Sequence, residues 1–373
     1  MNYPKLVDGN HTKHLTENNR LDKRYMMVRS IWYAGLFILL GSCGSTQQLI
    51  ATDAIKPLVI TEKVPFDTDD PAIWINPTDA SKSLIIGTDK ETGGGIYAFD
   101  LQGKIVSKVQ GLLRPNNVDI VYAMPLNGVP TDIAIATERE TNELRFYSLP
   151  ELKEVDGGGL EVFAGEKEQK PMGIATYSSA AGVKYVIVGR KTGPSGTYLW
   201  QYKLLDDKGK IAMQLVRKFG QFSGKKEIES IAVDNELGYV YYSDEQYGIR
   251  KYYAEPGKGE EELAVFGQGE FKEDNEGISI YKFASGTGYI LVSDQSANRF
   301  NIYPREGSTT NPHLHTRITS VPVSTNQSDG SEVTATALPG FKGGLFVAMS
   351  TDRTFQYYQW VDIAAKAGLK VAE

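Results

Sequence analysis

Leu84-Ile85-Ile86-Gly87-Thr88-Asp89-Lys90 is a short apolar run that breaks off into a polar, charged turn. Its length and β-branched content read as a buried strand rather than a helix. Similar runs begin near Thr131, Lys184, Gly238, Gly288 and Gly344, at successive steps of 47, 53, 54, 50 and 56 residues. A period of about 50 residues with several strands per repeat is the signature of a β-propeller. The chain is therefore expected to be all-β, with six four-stranded antiparallel blades. Radial symmetry brings positions that are distant in sequence around one central channel, so scattered carboxylates can become a single site.

An inner segment precedes each run: Asp70–Asn76, Asn117–Ala123, Met172–Tyr177, Glu229–Asp234, Glu276–Tyr281 and Asp329–Leu338. A third strand follows after a turn, as at Gly95–Phe99, and a fourth reads in most repeats, as at Lys104–Ser107. Outside the N-terminal segment, a helical period is visible only at Val361–Leu369. The propeller is expected over residues 58–373 as one domain, because a blade cannot bury its faces alone. Residues 60–68 should help to close the ring against the last blade.

The 21 Tyr suit a β-rich core and the 38 Gly suit many tight turns. The first 42 residues carry six Lys/Arg and three Asp/Glu, so the remainder has 34 basic and 43 acidic residues. That balance argues against nucleic acid as a partner. Residues 1–43 read as an N-terminal extension and a lipoprotein signal peptide, and residues 44–57 as a tether. Lys23, Arg24 and Arg29 form a basic region, and Ile31–Leu40 an apolar one too short to span a bilayer. Leu40-Gly41-Ser42-Cys43 resembles the bacterial lipobox, in which Cys43 is lipidated. Cys43 is the sole cysteine, so no internal disulfide is possible. The expected location is the bacterial cell envelope, at the outer membrane, touched only through the N-terminal lipid. A monomer is expected.

Elimination narrows the chemistry. His313 and His315 are the histidines beyond the signal segment, and both fall in a polar turn expected to be solvated. No Ser-His-Asp triad can form elsewhere, and no P-loop pattern is present. Carboxylates remain. Asp69 and Asp70, Asn117 and Asp119, Glu229, Asp274 and Glu276, and Asp329 and Glu332 head the inner segments, while Asp244 and Glu245 follow the fourth run. A closed ring would converge them on one channel mouth, where they repel unless protonated or bridged by cations. Hard oxygen ligands select Ca²⁺ or Mg²⁺. Lys90, Arg139, Arg190 and Lys191 follow their runs by the same few residues, on equivalent loops of the first three blades. A cationic rim beside a metal cluster suits a phosphate ester.

Asp67-Thr68-Asp69-Asp70-Pro71-Ala72-Ile73-Trp74 resembles the β-propeller phytases. The resemblance continues through Asn116-Asn117-Val118-Asp119-Ile120, Glu229-Ser230-Ile231-Ala232, Glu276-Gly277, Asp329-Gly330 and Gly344-Leu345-Phe346-Val347-Ala348. It covers essentially Val59–Ala364. It implies a six-bladed, calcium-dependent phosphatase of phytate. Carried over by position, it implies calcium ligands at Asp69, Asp70, Glu229, Glu245, Asp274, Glu276 and Asp329. It implies phosphate contacts from Lys90, Arg139 and Lys191. On this reading Glu229, Asp70, Glu276, Lys90 and Arg139 carry catalysis, and Asn117 joins the substrate-binding set. Met172 stands where the family has a tyrosine, and Glu91 where it has a lysine. Two other functions fit the same residues: a propeller that binds a calcium–phosphate ligand without turnover, and a hydrolase of another phosphoester.

Overall fold

The computed structural model describes residues 49–372, which carry 25 strands in six antiparallel sheets. The first blade runs outward as Thr68–Trp74, Leu84–Asp89, Gly95–Phe99 and Ile105–Gln110. Inner strands of the next five are Pro115–Leu126, Pro171–Ser178, Ile231–Asp234, Asn275–Lys282 and Ser331–Thr334. These six strands neighbour one another in chain order, and the last lies beside the first. The result is a closed six-bladed propeller.

Apolar side chains on both faces of each sheet make the core. Six hydrophobic clusters fill the six gaps between adjacent blades. In the gap between blades six and one, Ile73, Ile85, Tyr97 and Phe99 meet Leu345, Val347, Phe355 and Tyr357. Removal of such areas from water supplies the main stabilisation.

Blade six closes the ring with strands from both chain ends. Val59–Ile60 is its outermost strand, with Val59 opposite Tyr357 and Ile60 opposite Gln356. The expected closing segment continues from it: the Thr61 and Val64 N–H groups donate to the Phe355 and Arg353 carbonyls at 3.0 and 3.1 Å, and the Thr68 hydroxyl donates to the Ser350 carbonyl at 2.9 Å. Before it, Ile55 bridges to Val323 and Ala54 is buried, so this part of the stretch expected as a tether lies against the propeller. Blade two departs from four strands. Its outer strand is split into Lys153–Glu154 and Leu160–Glu161 by the turn at Asp156–Gly159. The helix Trp360–Ala367 follows the last strand, and Trp360 stacks on Tyr281 at 3.8 Å between ring centroids. Among the described residues no helix is long and apolar enough to cross a membrane. Cys43 and the signal segment lie outside the described residues.

Candidate metal and substrate site

The inner strands change register where they enter the channel mouth. In blade one Thr68 pairs with Asp89 and Pro71 with Gly87, so Asp69 and Asp70 together face Thr88. The same two-against-one step sets Asn116-Asn117, Met172-Gly173 and Glu276-Gly277 in blades two, three and five. By the pairing that follows them, Glu229-Ser230 and Asp329-Gly330 hold the equivalent places in blades four and six. A bulge bends its strand and re-aims side chains. The second residue of the pair is small where the next blade comes close. A Cβ on Gly277 would lie 2.6 Å from the Asp329 carbonyl oxygen. The Gly277 N–H donates to that oxygen at 2.6 Å, and the Gly330 N–H donates to the Asp69 carbonyl at 3.1 Å across the ring seam.

A second set of rim positions lies one residue past each second strand. Lys90, Arg139, Lys191, Glu245 and Gln295 donate backbone N–H bonds to the carbonyls of Asp67, Arg114, Lys170, Glu227 and Asp274, at 2.8 to 3.2 Å. The residue before each is buried: Asp89, Glu138, Arg190, Asp244 and Asp294. Asp244, for example, accepts from Ser223 and Arg250. These positions divide the rim by charge. Blades two and three present Arg114, Arg139, Lys170 and Lys191. Blades four and five present Glu227, Glu229, Glu245, Asp274 and Glu276. At the seam, Lys90 reaches Asp329 at 2.5 Å, Asp69 at 3.0 Å and Asp67 at 3.6 Å.

Within the acidic sector, Glu227, Glu229 and Glu245 bring one oxygen each within 4.8 Å of the others, and so do Glu245, Asp274 and Glu276. Glu245 is fully buried and Glu276 is 3% exposed. Burial first, then the charge on Glu229, pushes the Glu245 carboxyl up to about 8. Burial, then Glu245 and Glu229, holds Glu276 well above the usual carboxylate range. Burial lifts Asp69 in the same way despite the Lys90 ammonium, with Glu229 and Asp329 adding to the rise. Glu229 also rises, through burial and then Glu227 and Asp329. Buried oxygens of Asp69 (Oδ2), Glu245 (Oε1) and Glu276 (Oε2) have no hydrogen-bond partner. Buried polar atoms ordinarily have one. An oxygen-only donor set with orphaned, mutually repelling carboxylates fits a hard divalent cation.

The phytase family model matches residues 46–363. The chain belongs to the phytase family. It is 31% identical over 323 residues to the 3-phytase of Bacillus subtilis (strain 168), covering 80% of this chain and 81% of that relative. Among solved structures it is similar to the Dos1 propeller, with a TM-score of 0.42 and 12% identity, over 82% of this chain and 69% of that one. It is therefore a member of an enzyme family, and its acidic clusters are consistent with metal sites.

In this member of the phytase family the ring brings Asp69, Glu229, Glu245, Asp274, Glu276 and Asp329 to one mouth with Lys90, Arg139 and Lys191. Asp70 turns into the channel, where it accepts the Val118 N–H at 3.1 Å. Asp119 and Glu332 line the channel too, with Lys282. The neighbour of Asn117 makes the bridging contacts. Asn116 donates to Glu229 at 2.8 Å and accepts from the Arg139 guanidinium, while Asn117 accepts from Asn116 at 3.0 Å. Met172 holds the equivalent bulge position in blade three and is fully buried. Arg190 is buried rather than on the rim, bonded to Glu166 and to the carbonyls of Glu168 and Thr197. Contrary to expectation, His315 is 4% exposed. Its ring packs on Phe266 and Tyr241, and burial pushes it down to about 4.

Sequence reasoning did not reach Glu227 or Lys226. The i, i+2 pairs Asp67/Asp69, Glu227/Glu229 and Asp274/Glu276 carried the signal for the first. Alternate residues of an extended chain share a side.

Proposed function

We propose that this phytase-family propeller is a calcium-dependent phosphomonoesterase that releases phosphate from phytate, myo-inositol hexakisphosphate. The observation that carries this reading is the set of buried, unpartnered oxygens of Asp69, Glu245 and Glu276 at one mouth, where Lys90 meets Asp69 at 3.0 Å and Lys191 meets Glu227 at 2.7 Å. Asp69, Glu229, Glu245, Asp274, Glu276 and Asp329 would hold calcium at the mouth, whereas Asp70, turned into the channel, is left out of that set. When bound, calcium supplies charge neutralisation and an acidified water. The chain's own residues orient the rest. Asn116 fixes the Arg139 guanidinium against Glu229, so its remaining N–H groups are aimed before a phosphate arrives. Lys90 and Lys191 hold their ammonium groups at the same rim. Glu229 Oε1 accepts from Asn116, which leaves Oε2 to take the proton of an attacking water. Water attacks phosphorus as the ester P–O bond breaks, and the proton taken up by Glu229 passes to the departing inositol oxygen, so that phosphate and alcohol are released. The lipobox-like Leu40-Gly41-Ser42-Cys43 supports a separate part of the proposal, an exported lipoprotein of the bacterial cell envelope anchored at Cys43.

Phosphate release from phytate, followed with calcium and after chelation, tests the reading. Calcium-dependent release in wild type and its loss in Glu229→Gln are expected. Calcium-dependent phytate binding without release would favour the binding propeller. Release undiminished by exhaustive chelation would overturn the metal reading.

A further inference from the structure

We infer that Lys226 is a tethered counter-ion that sits in the cation position of the Glu245–Asp274–Glu276 set and that a divalent cation displaces. The inference rests on the proposed cation binding at this cluster. Lys226 Nζ lies 2.6 Å from Asp274 Oδ2, 2.7 Å from Glu245 Oε2 and 3.9 Å from Glu276 Oε1. Those three carboxylates are the ones that bring an oxygen each within 4.8 Å of the others. One ammonium and one divalent ion cannot share that space.

The ammonium is also an incomplete partner. It offers three donors and a single positive charge to three carboxylates. Glu245 Oε1 and Glu276 Oε2 are left buried without a hydrogen bond. Two independent observations thus point to the same place: a cation already seated there, and buried acceptors that this cation does not serve. A Ca²⁺ ion takes six to eight oxygens and would engage what the ammonium leaves over.

Release is sterically simple. Lys226 comes from the loop that follows the last strand of blade three, Lys210–Phe219, and its side chain is 37% exposed. Lys226 already lines a solvent-open groove with Lys170, Lys191, Thr192 and Glu227, which gives a displaced side chain room. Cation entry would therefore shift this positive charge away from the metal position, toward the basic sector. Lys225, next in the chain, is tied instead to the Gln246 carbonyl at 2.9 Å and takes no part.

Competition of this kind lowers apparent cation affinity, and coupling free energies between two ligands typically span about 5–150-fold. Calcium titrations of the chelator-treated full chain, by calorimetry and by thermal shift, test it in wild type, Lys226→Met, Lys226→Arg and Lys225→Met. Lys226→Met should bind calcium about tenfold more tightly at one site and melt lower in chelator. Lys226→Arg and Lys225→Met should stay near wild type. Lys226→Gln gives the same comparison should the methionine variant not fold. Calcium binding that is indifferent to residue 226, or weakened by its loss, would overturn this inference alone. Absence of calcium binding from every variant would overturn the reading of the cluster and this inference with it.

Discussion

Replacing Glu245 by Gln should make the calcium-free protein less sensitive to pH. Glu245 is fully buried, and burial followed by the Glu229 charge pushes its carboxyl from 4.5 up to about 8. Between those values the folded chain keeps a proton that the unfolded chain releases. The stability this group contributes is complete below about pH 4.5 and is lost as pH rises to about 8. At 1.36 kcal/mol per pKa unit the loss is at most about 5 kcal/mol. Movement of Lys226 and entry of water reduce it to about 3 kcal/mol, because charges near solvent are screened. For roughly 320 ordered residues, an unfolding entropy of about 2.1 cal/mol/K per residue converts this to about 4 °C in Tm. Thermal unfolding in chelator from pH 5 to 8.5 is the assay. The wild-type Tm should fall by about 4 °C more than that of Glu245→Gln across that range. Saturating calcium should abolish the difference, because a bound cation replaces the proton. Parallel pH curves for the two proteins in chelator would refute the reasoning.

Other expectations follow from single contacts. Gly277→Ala forces a Cβ against the Asp329 carbonyl and the Ser331 N–H, at 2.6 and 2.9 Å, and should cost about 1–3 kcal/mol in urea unfolding. Met172→Tyr puts a phenol at the bulge position of blade three and should raise kcat/KM on phytate about tenfold, the worth of one hydrogen bond to a charged group. His315, pushed down to about 4, contributes stability that is present above pH 6.5 and lost as pH falls to 4. That loss, about 3 kcal/mol at most, should be missing from the acid limb of His315→Asn. Cys43→Ser should move the protein from the membrane fraction to the soluble one, read by fractionating cells that express each form.

The six-fold repeat was legible because buried second strands are the most regular elements of a propeller: the runs at Leu84 and Gly288 appear in the structure as Leu84–Asp89 and Gly288–Asp294. The equivalence of Lys90, Arg139 and Lys191 was legible for the same reason, since each lies a fixed distance beyond such a strand. What the bulges do was not. In a regular strand Asp69 and Asp70 would face opposite sides, and nothing in the letters says which one meets the rim. The two-against-one register sends Asp69 to Lys90 and Asp70 into the channel, and by the same step makes Asn116 rather than Asn117 the link to Arg139 and Glu229. The burial of His315 was hidden because it depends on Phe266 and Tyr241, which are distant in sequence. Lys226 carries no signal in the sequence, because a dibasic loop ordinarily faces solvent.

The ring is sewn shut where its two ends meet, and Lys90 lies on that join. Its ammonium spans Asp69 of the first blade and Asp329 of the last, residues brought together only when the ends of the propeller have found each other. Beside it, the backbone stitch from Gly330 to Asp69 crosses the same line. The mouth is thus unfinished until the final blade docks, and a chain cut short of Asp329 would lack both the acid and the closure. Drawing Lys90 away from its two aspartates would undo one tie across that join, which the Val59–Ile60 strand and the apolar gap between blades six and one also span. Were the proposed calcium to take over those oxygens, it would re-tie the join, and fastening the fold and readying the mouth would be one event.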